Sequence, residues 1–528
     1  MRKRAVTQRS VLAAILGLAI AALPASVAAT ELRLGVGAAI TSLDPHYHNF
    51  QPNNALARHV FDPLIAQDER QRLEPGLATA WRAIDAVTWE LELRQGVIFH
   101  GGAPFTAEDV AATLRRIPAV PNSPSSFVQF TGTIQSVEVV SPQLIRLRTA
   151  APHPLLPQDL SQVAIIARGS EAASTDDFNA LRATDGTGPF RIAGWERGAR
   201  VNLVRNDGYW GGKPAWERVT FRLISSDPSR VAALLAQELD AIDGVPTGDI
   251  ARMRANPGLV IASAPSNRVI ILQLDSGREA TPFVTDKAGR ALPANPLRDV
   301  RVRQALSHAI NRTLLAERAM DGQAVPAGQI VPEGFFGYDP ETPVPAFDPD
   351  RARALLAAAG YPDGFALTLH SPNNRYVNDD RVAQAIGAML TRIGIAAKVE
   401  TMPAAVFFPR WGRLEHSVQL VGWGSGTGEA AGSLRAHVAS FDRARGRGTS
   451  NVGRYANPEV DALLDRALAT IDDAARQDLL RQVTRLSMRE VAFVPLYFQV
   501  NIWAMRRGLT YAARSDESTV AWGFAPAP

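Results

Sequence analysis

The sequence of 528 residues contains no cysteine. This absence excludes disulfide frameworks, cysteine-ligated zinc or iron–sulfur centres, a cysteine nucleophile and an N-terminal lipid-modified cysteine. Lysine is almost absent too, because only residues 3, 213, 287 and 398 are lysines, and nearly all positive charge is therefore arginine. The one marked apolar run, residues 11–23, is shorter than the ~20 residues that a transmembrane helix needs.

That apolar run has the flanks of a secretory signal peptide. Four basic residues precede it, Pro24 ends it, and small residues follow up to Ala29. A basic start, a short apolar stretch and small residues before the cleavage site are typical of export signals, whereas a membrane anchor needs a longer run. We therefore expect residues 1–29 to be a signal peptide, cleaved after Ala28 or Ala29, and a mature protein in the periplasm that is not a lipoprotein.

The net charge of the mature chain gives no support for a polyanionic partner. Of the 56 lysine and arginine residues, four lie before the apolar run, and the other 52 equal the 52 acidic residues in number. A neutral, mixed surface carries no electrostatic footprint for nucleic acid, and we predict none as a partner.

The mature chain alternates short apolar runs with helical patterns, which predicts an α/β fold. Strands are expected at residues 32–36, 88–93, 201–205 and 219–223, and a hairpin at 136–148. Thr106 is a good N-cap ahead of an acidic first turn, so a helix should follow it. Further helices are predicted over residues 229–239, 299–310, 348–359, 381–393, 457–469 and 473–490.

A search for catalytic motifs finds none. There is no G-x-S-x-G, no H-E-x-x-H and no P-loop, and the string at 186–189 begins a G-x-G-x-x-G without completing it. His46 and His48 form an H-x-H, a spacing that can clamp a metal, but two histidines on a polar loop are the favoured interpretation. We therefore expect no enzyme, no catalytic residues, no metal and no cofactor.

Nine short strings identify a family. In this order, over nearly the whole mature chain, they resemble the family 5 extracellular solute-binding proteins of peptide and nickel ABC importers. The strings are residues 41–45 (TSLDP), 61–64 (FDPL), 73–81 (LEPGLATAW), 91–102 (LELRQGVIFHGG), 186–190 (GTGPF), 205–210 (RNDGYW), 302–306 (VRQAL), 354–365 (ALLAAAGYPDGF) and 455–461 (YANPEVD).

The resemblance implies a two-lobe periplasmic binding protein of type II, in the large cluster with an extra subdomain. Lobe I would comprise residues 30–270, including the extra subdomain at about 71–185, and lobe II residues 271–499. Residues 500–528 would return to lobe I, and the hinge would run through residues 269–275 and 495–502. Closure of such lobes shields a ligand from water, and the permease recognises the closed, ligand-bound protein.

The resemblance also implies which loops face the ligand. The predicted ligand-binding residues are Tyr47, His48, Asn49, Asn373, Arg375, Trp423, Gly424, Ser425, Gly426, Thr427 and Glu429. Peptide binders of this family usually hold the ligand's ammonium with an aspartate three residues after the tryptophan, where this chain has Gly426. The usual clamp is therefore either absent or moved to Glu429, and the Ser/Thr-Gly-Glu pattern resembles the glutathione-binding branch.

The predicted function is capture of a peptide-like solute, such as a short peptide, glutathione or an opine-like conjugate, for import. The expected partners are that ligand and the permease subunits of an ABC transporter in the inner membrane, with the binding protein as a monomer. The alternatives are a nickel or metal-chelate receptor, motivated by His46, His48 and His416, an oligosaccharide receptor and, remotely, a secreted hydrolase.

Overall fold

The computed structural model describes residues 31–527, so the predicted signal peptide lies outside the described residues. Within that range no helix is long and apolar enough to cross a membrane. The described chain forms a mixed α/β fold around one twelve-stranded sheet, a separate four-stranded sheet and two small two-stranded sheets.

The strands are numbered in chain order. They are β1 Glu31–Val36, β2 Ile65–Gln67, β3 Leu73–Pro75, β4 Ala78–Ala83, β5 Thr88–Leu93, β6 Ile134–Ser141, β7 Leu144–Thr149, β8 Phe190–Glu196, β9 Arg200–Arg205, β10 Arg218–Leu223, β11 Ala241–Ile242, β12 Leu259–Leu274, β13 Val284–Thr285, β14 Ala324–Pro326, β15 Ala366–Pro372, β16 Ala396–Met402, β17 Val418–Gly424, β18 Val494–Arg506, β19 Leu509–Tyr511 and β20 Phe524–Pro526. The main path of the large sheet is β13-β15-β17-β12-β18-β11-β1-β10-β9-β8, with β14 added to β18 and β16 to β15.

The helices follow the same numbering. They are α1 Gln51–Val60, α2 Ala107–Ala119, α3 Val128–Thr131, α4 Leu156–Leu160, α5 Thr175–Asn179, α6 Asp227–Leu235, α7 Ile250–Ala255, α8 Val300–His308, α9 Arg312–Leu314, α10 Pro349–Ala358, α11 Asp379–Thr391, α12 Ala404–Gly412, α13 Ala430–His437, α14 Pro458–Ala469 and α15 Asp473–Arg489. A π-helical turn, Leu315–Ala319, continues α9.

Apolar packing divides the chain into two parts. Two large buried clusters draw almost all their residues from 269–498, whereas the other clusters draw theirs from 32–262 and 502–524. We use lobe I for residues 31–262 with 500–527, and lobe II for residues 269–498. This grouping follows the core alone, and the predicted domain limits stay a prediction.

Two long strands join the lobes. β12 and β18 pair antiparallel along most of their length and contribute apolar side chains to the cores of both lobes. Their register shifts between Pro265 and Val269, and again between Ile270 and Ile271. Such irregularities interrupt the ladder and bend the strand. The chain therefore passes between the lobes twice, once in β12 and once in β18. The two strands form one paired ribbon, whose register shifts lie between the lobes.

The subdomain within lobe I has its own sheet and core. Its strands run in the order β4-β5-β7-β6, and α2 and α4 cover them through a cluster that includes Leu91, Val110 and Leu147. The predicted hairpin at 136–148 is β6 and β7, which pair antiparallel. The expected N-cap is present, because Thr106 forms a capping box with Asp109.

The predicted helices are confirmed with small shifts at their ends. The largest shift is at α6, which ends at Leu235 although the pattern predicts helix to residue 239. Gln237 has a left-handed backbone with φ of 60°, which terminates the helix before its apolar spacing ends. Apolar spacing indicates which side chains are buried and not which backbone is helical. Leu239 is buried although it lies in the loop after α6.

Candidate ligand-binding site

A cavity of about 630 Å³ lies between the lobes. Lobe I contributes the start of α1, the segment around α4 and the turn after Arg514, and lobe II contributes the end of β17 with the loop and helix that follow. Cavities of roughly 300–1,000 Å³ are typical of small-molecule sites. The lining is mixed, with one indole, several amides and seven charged or imidazole side chains.

Trp423 presents an aromatic face to this cavity. It lies on β17, where it pairs with Val269 of β12, so the sheet fixes its backbone. Its Nε1–H donates to Ser433 Oγ at 3.0 Å, and its ring meets His437 edge to face at 4.6 Å. The indole is half-buried against the lobe II core. One part of the ring is therefore structural, and the remaining face is free to contact a ligand.

The loop after Trp423 touches lobe I directly. The Nε2 amide of Gln71 donates to the carbonyl oxygens of Ser425 at 2.9 Å and Gly426 at 2.8 Å. Gln162 donates to the same Gly426 oxygen at 3.0 Å, and Gln67 does so at 3.3 Å. Three lobe I amides thus converge on one lobe II carbonyl group.

Gly428 permits this close approach. Its φ is +76°, a backbone conformation that favours glycine, and a Cβ there would lie 2.5 Å from the carbonyl oxygen of Gln71. Leu155 of lobe I packs within the apolar cluster of lobe II that also includes Leu434. The lobes are therefore in contact on this side of the cavity through both polar and apolar groups.

Ion pairs line the wall formed by lobe I and the irregular part of β12 between the lobes. Arg58 binds Asp516 at 2.7 Å, and Arg268 holds Glu517 through two hydrogen bonds of 2.8 and 2.9 Å. Burial raises the pKa of Glu517, but Arg268 more than offsets it and leaves that pKa below its usual range. The pKa of Asp516 is likewise lowered, because Arg514 and Arg58 outweigh its burial. Both carboxylates are therefore charged at neutral pH.

The structure brings six of the predicted residues together. Asn49, Trp423, Gly424, Ser425, Gly426 and Thr427 all line the cavity. The other residues of the first predicted loop lie outside the lining. His48 stacks on Phe50 at 5.1 Å and its Nδ1 is 3.0 Å from Thr41 Oγ1, while Tyr47 is half-buried.

The predicted loop before α11 also lies outside the cavity lining. Asn373 and Arg375 are exposed on the segment that follows β15. The Arg375 guanidinium lies 5.1 Å from the centroid of the Tyr376 ring. Its charge also acts on Glu517, which does line the cavity. This loop therefore flanks the site, and its contact with ligand stays a prediction.

Glu429 is buried beneath the loop, with 1% of its surface exposed. Its Oε2 accepts a hydrogen bond of 2.7 Å from Arg476, and no described residue donates to its Oε1. Burial raises the pKa of Glu429 to about 7, although the Arg476 charge lowers it. Glu429, one of the two alternatives for the usual ammonium clamp, is therefore already paired and does not line the cavity.

The three histidines behind the nickel alternative are not assembled into a site. His46 is buried with Nε2 2.8 Å from the Ala164 oxygen and Nδ1 3.0 Å from Arg116, so both ring nitrogens are engaged. His416 stacks on His370 at 4.2 Å within lobe II. Among residues 31–527, no group of three or more His, Cys, Asp or Glu side chains is arranged to hold a metal ion.

The sequence interpretation missed several residues of the lining. These are the His153–Asp159 pair with a separation of 2.7 Å, the Arg268–Glu517 pair, Arg435 and Asp516. Asp516 and Glu517 lie more than 80 residues from Arg435, and no local motif connects them. Arg268, Asp516 and Glu517 could have been found by looking for arginine and acidic residues in the segments next to the predicted hinge.

Comparison with known proteins gives consistent matches over nearly the whole chain. The model of the family described as bacterial extracellular solute-binding proteins, family 5, matches residues 72–444. The glutathione-binding protein GsiB of Salmonella paratyphi A is 31% identical over 506 residues, which cover 94% of each chain.

Two solved structures share the fold. The periplasmic binding protein DppA of Helicobacter pylori, in complex with the peptide STSA, has a TM-score of 0.75 and 22% identity over 94% of this chain and 98% of that one. AgaA of A. tumefaciens R10, in complex with agropinic acid, has a TM-score of 0.73 and 24% identity over 94% and 99%.

Proposed function

The chain belongs to family 5 of the bacterial extracellular solute-binding proteins, and from that premise we propose that it captures a peptide-like solute, with glutathione as the first candidate. Binding proteins of this kind deliver ligands to the permease of an ABC importer, and the family implies the periplasm. The proposed solute class also includes short peptides and opine-like conjugates. An N-terminal signal peptide that is cleaved on export belongs to the same proposal.

The charge pattern of the interlobe cavity is the observation that carries this proposal. Its walls combine carboxylates and guanidinium groups with the half-buried face of Trp423. Covering these charged groups with an apolar ligand costs free energy, because ionic groups removed from water need charged or hydrogen-bonding partners. A solute with both charges and a flat amide backbone matches these groups better than a neutral sugar does. The 31% identity to a glutathione-binding protein supports the same choice.

Isothermal titration calorimetry on the full mature protein tests the proposal. The panel comprises reduced and oxidised glutathione, di- and tripeptides, agropinic acid, a maltooligosaccharide and nickel with histidine. We expect saturable 1:1 binding of a peptide-like compound, with the compound recovered unaltered by mass spectrometry. Binding of only the oligosaccharide or the nickel complex, or recovery of a chemically altered compound, contradicts the proposal.

A further inference from the structure

Four cationic or imidazole side chains line the cavity, and three of them have acidic partners. Arg58 pairs with Asp516, Arg268 with Glu517 and His153 with Asp159. The fourth is Arg435, which forms no ion pair with any residue of the described part of the chain. Its one hydrogen bond from the guanidinium goes to the carbonyl oxygen of Arg445 at 2.8 Å. Most of the five N–H donors of Arg435 therefore have no protein acceptor.

Asp159 is the complementary group. It lies on α4 and is 8% exposed, and its Oδ2 accepts from His153 Nε2 at 2.7 Å. Among residues 31–527, none donates a hydrogen bond to Oδ1. Burial raises the pKa of Asp159, since it disfavours the charged form more than His153 and Arg435 favour it. A ligand cation at Oδ1 would supply the missing stabilisation of the carboxylate.

These two groups approach the cavity from opposite lobes. Asp159 belongs to α4 of lobe I and Arg435 to α13 of lobe II. Leu155, which immediately precedes α4, shares an apolar cluster with Leu434 of α13. The two short helices are therefore neighbours across the cleft, and both side chains line the same cavity.

We propose that Asp159 and Arg435 together hold a free α-amino acid head group, with its ammonium on Asp159 and its carboxylate on Arg435. This inference rests on the proposed function, because it specifies which peptide-like solutes the cleft accepts. A γ-linked glutamyl peptide carries both charges on one carbon atom. In an α-linked peptide the carboxyl group next to the ammonium is consumed by the amide bond. The cleft therefore selects γ-linked over α-linked peptides.

The arrangement also accounts for the loss of the usual anchor. With glycine at position 426 and Glu429 buried against Arg476 outside the cavity lining, the segment after Trp423 presents no carboxylate to a ligand there. Asp159 supplies that carboxylate from the opposite wall. A head group held between Asp159 and Arg435 joins one lobe to the other, so that recognition and closure depend on the same two contacts.

Titration of glutathione and of its α-linked isomer into the mature protein tests the proposal. We expect glutathione to bind about tenfold or more tightly than the isomer, since hydrogen bonds between charged groups are stronger than those between neutral groups. Asp159→Asn and Arg435→Ala should each reduce that preference to about threefold or less, by weakening glutathione alone. Arg443→Ala removes the same charge from an exposed position nearby and should leave the preference unchanged.

The ligand can be varied as well as the protein. Glutathione acetylated on its nitrogen, and glutathione with its α-carboxylate converted to an amide, should each bind the wild-type protein about tenfold or more weakly. N-acetylation should have little effect on binding to Asp159→Asn, and amidation little effect on binding to Arg435→Ala. The ligand series on the wild-type protein remains decisive if a variant fails to fold.

The outcomes separate the two proposals. Equal binding of the two isomers, or a γ preference that survives in both variants, overturns the head-group assignment and leaves the solute class intact. If no peptide-like compound binds the wild-type protein, the proposed function fails and the head-group assignment fails with it.

Discussion

The contact between Gln71 and the lobe II loop makes a measurable prediction about closure. Gln71 is 3% exposed, its amide donates to Ser425 and Gly426, and its backbone is left-handed with φ of 60°. Replacing it with glycine removes both interlobe hydrogen bonds, together with the two that its Oε1 accepts from Asn267 Nδ2 at 2.8 Å and Ser515 Oγ at 3.4 Å. The same replacement relieves the backbone conformation, which costs a non-glycine residue roughly 1 kcal/mol. Asn267 and Ser515 each keep another acceptor, the carbonyl oxygens of Ser425 and Glu69. Gln71→Gly should therefore weaken closure, while the relieved backbone offsets the lost Oε1 contacts and leaves the stability of lobe I within about 1 kcal/mol of the wild type.

The two lost hydrogen bonds to the lobe II loop fix the expected size of the effect on closure. At about 0.5–1.5 kcal/mol each, they contribute about 1–3 kcal/mol to the contact between the lobes. If ligand binds only when the lobes meet, the dissociation constant for glutathione should rise by about 5- to 150-fold. Isothermal titration calorimetry measures this constant. At a glutathione concentration that half-saturates the wild type, small-angle X-ray scattering should show a larger radius of gyration for the variant, because fewer of its molecules are bound and closed.

Gln237→Gly is the matched control. Gln237 has the same left-handed φ of 60° but is exposed at the end of α6, away from the cavity. The control should share the effect on backbone strain, with the melting temperature unchanged or slightly raised, and should bind glutathione like the wild type. If Gln71→Gly also binds like the wild type and has the same radius of gyration, the amide contact does not contribute to closure.

Three further predictions concern named side chains. Trp423→Ala should weaken glutathione binding by about 1–3 kcal/mol in calorimetry and also lower the melting temperature, because the ring packs on the lobe II core; a change in stability alone would make it a core residue only. Burial raises the pKa of Glu429 to about 7, so the folded state holds its proton more tightly than the unfolded chain and stability falls as pH rises from 5 to 8. In urea unfolding, the free energy of unfolding of Glu429→Gln should fall about 2 kcal/mol less between pH 5 and 8 than that of the wild type. Parallel pH profiles of the two proteins would refute this. Arg116→Leu leaves the buried Asp44 without the partner 2.7 Å away and should cost about 3–5 kcal/mol in urea unfolding, whereas Arg115→Ala, at an exposed pair, should cost at most about 1 kcal/mol; equal losses would contradict the reasoning.

Local patterns predicted the secondary structure well. The N-cap at Thr106 and the hairpin of β6 and β7 are where the residue types place them, because capping and turn chemistry act within a few residues. The end of α6 was not predictable in this way. Apolar spacing continues to Leu239, but the backbone leaves the helix at Gln237.

The candidate site was predicted only in part. The loop after Trp423 lines the cavity as expected, because its strand is central and its glycines end that strand at the cleft. Arg435 and Asp159 were missed, since they are separated by more than 270 residues and neither belongs to a motif. Glu429 shows the converse difficulty, because its proximity to Trp423 in sequence did not reveal that Arg476 pairs with it from α15.

The sequence by itself was enough to determine three properties: the order of short strings determined the family, the alternation of apolar and helical patterns the α/β class, and the composition the absence of cysteine chemistry. These properties depend on residue identity and on interactions between near neighbours. The tertiary structure alone decided which charges face the cavity, which are already paired, and which lobe I amides meet the Gly426 carbonyl group. Such pairings join residues from distant parts of the chain, and burial sets their energies only after the two lobes have packed together.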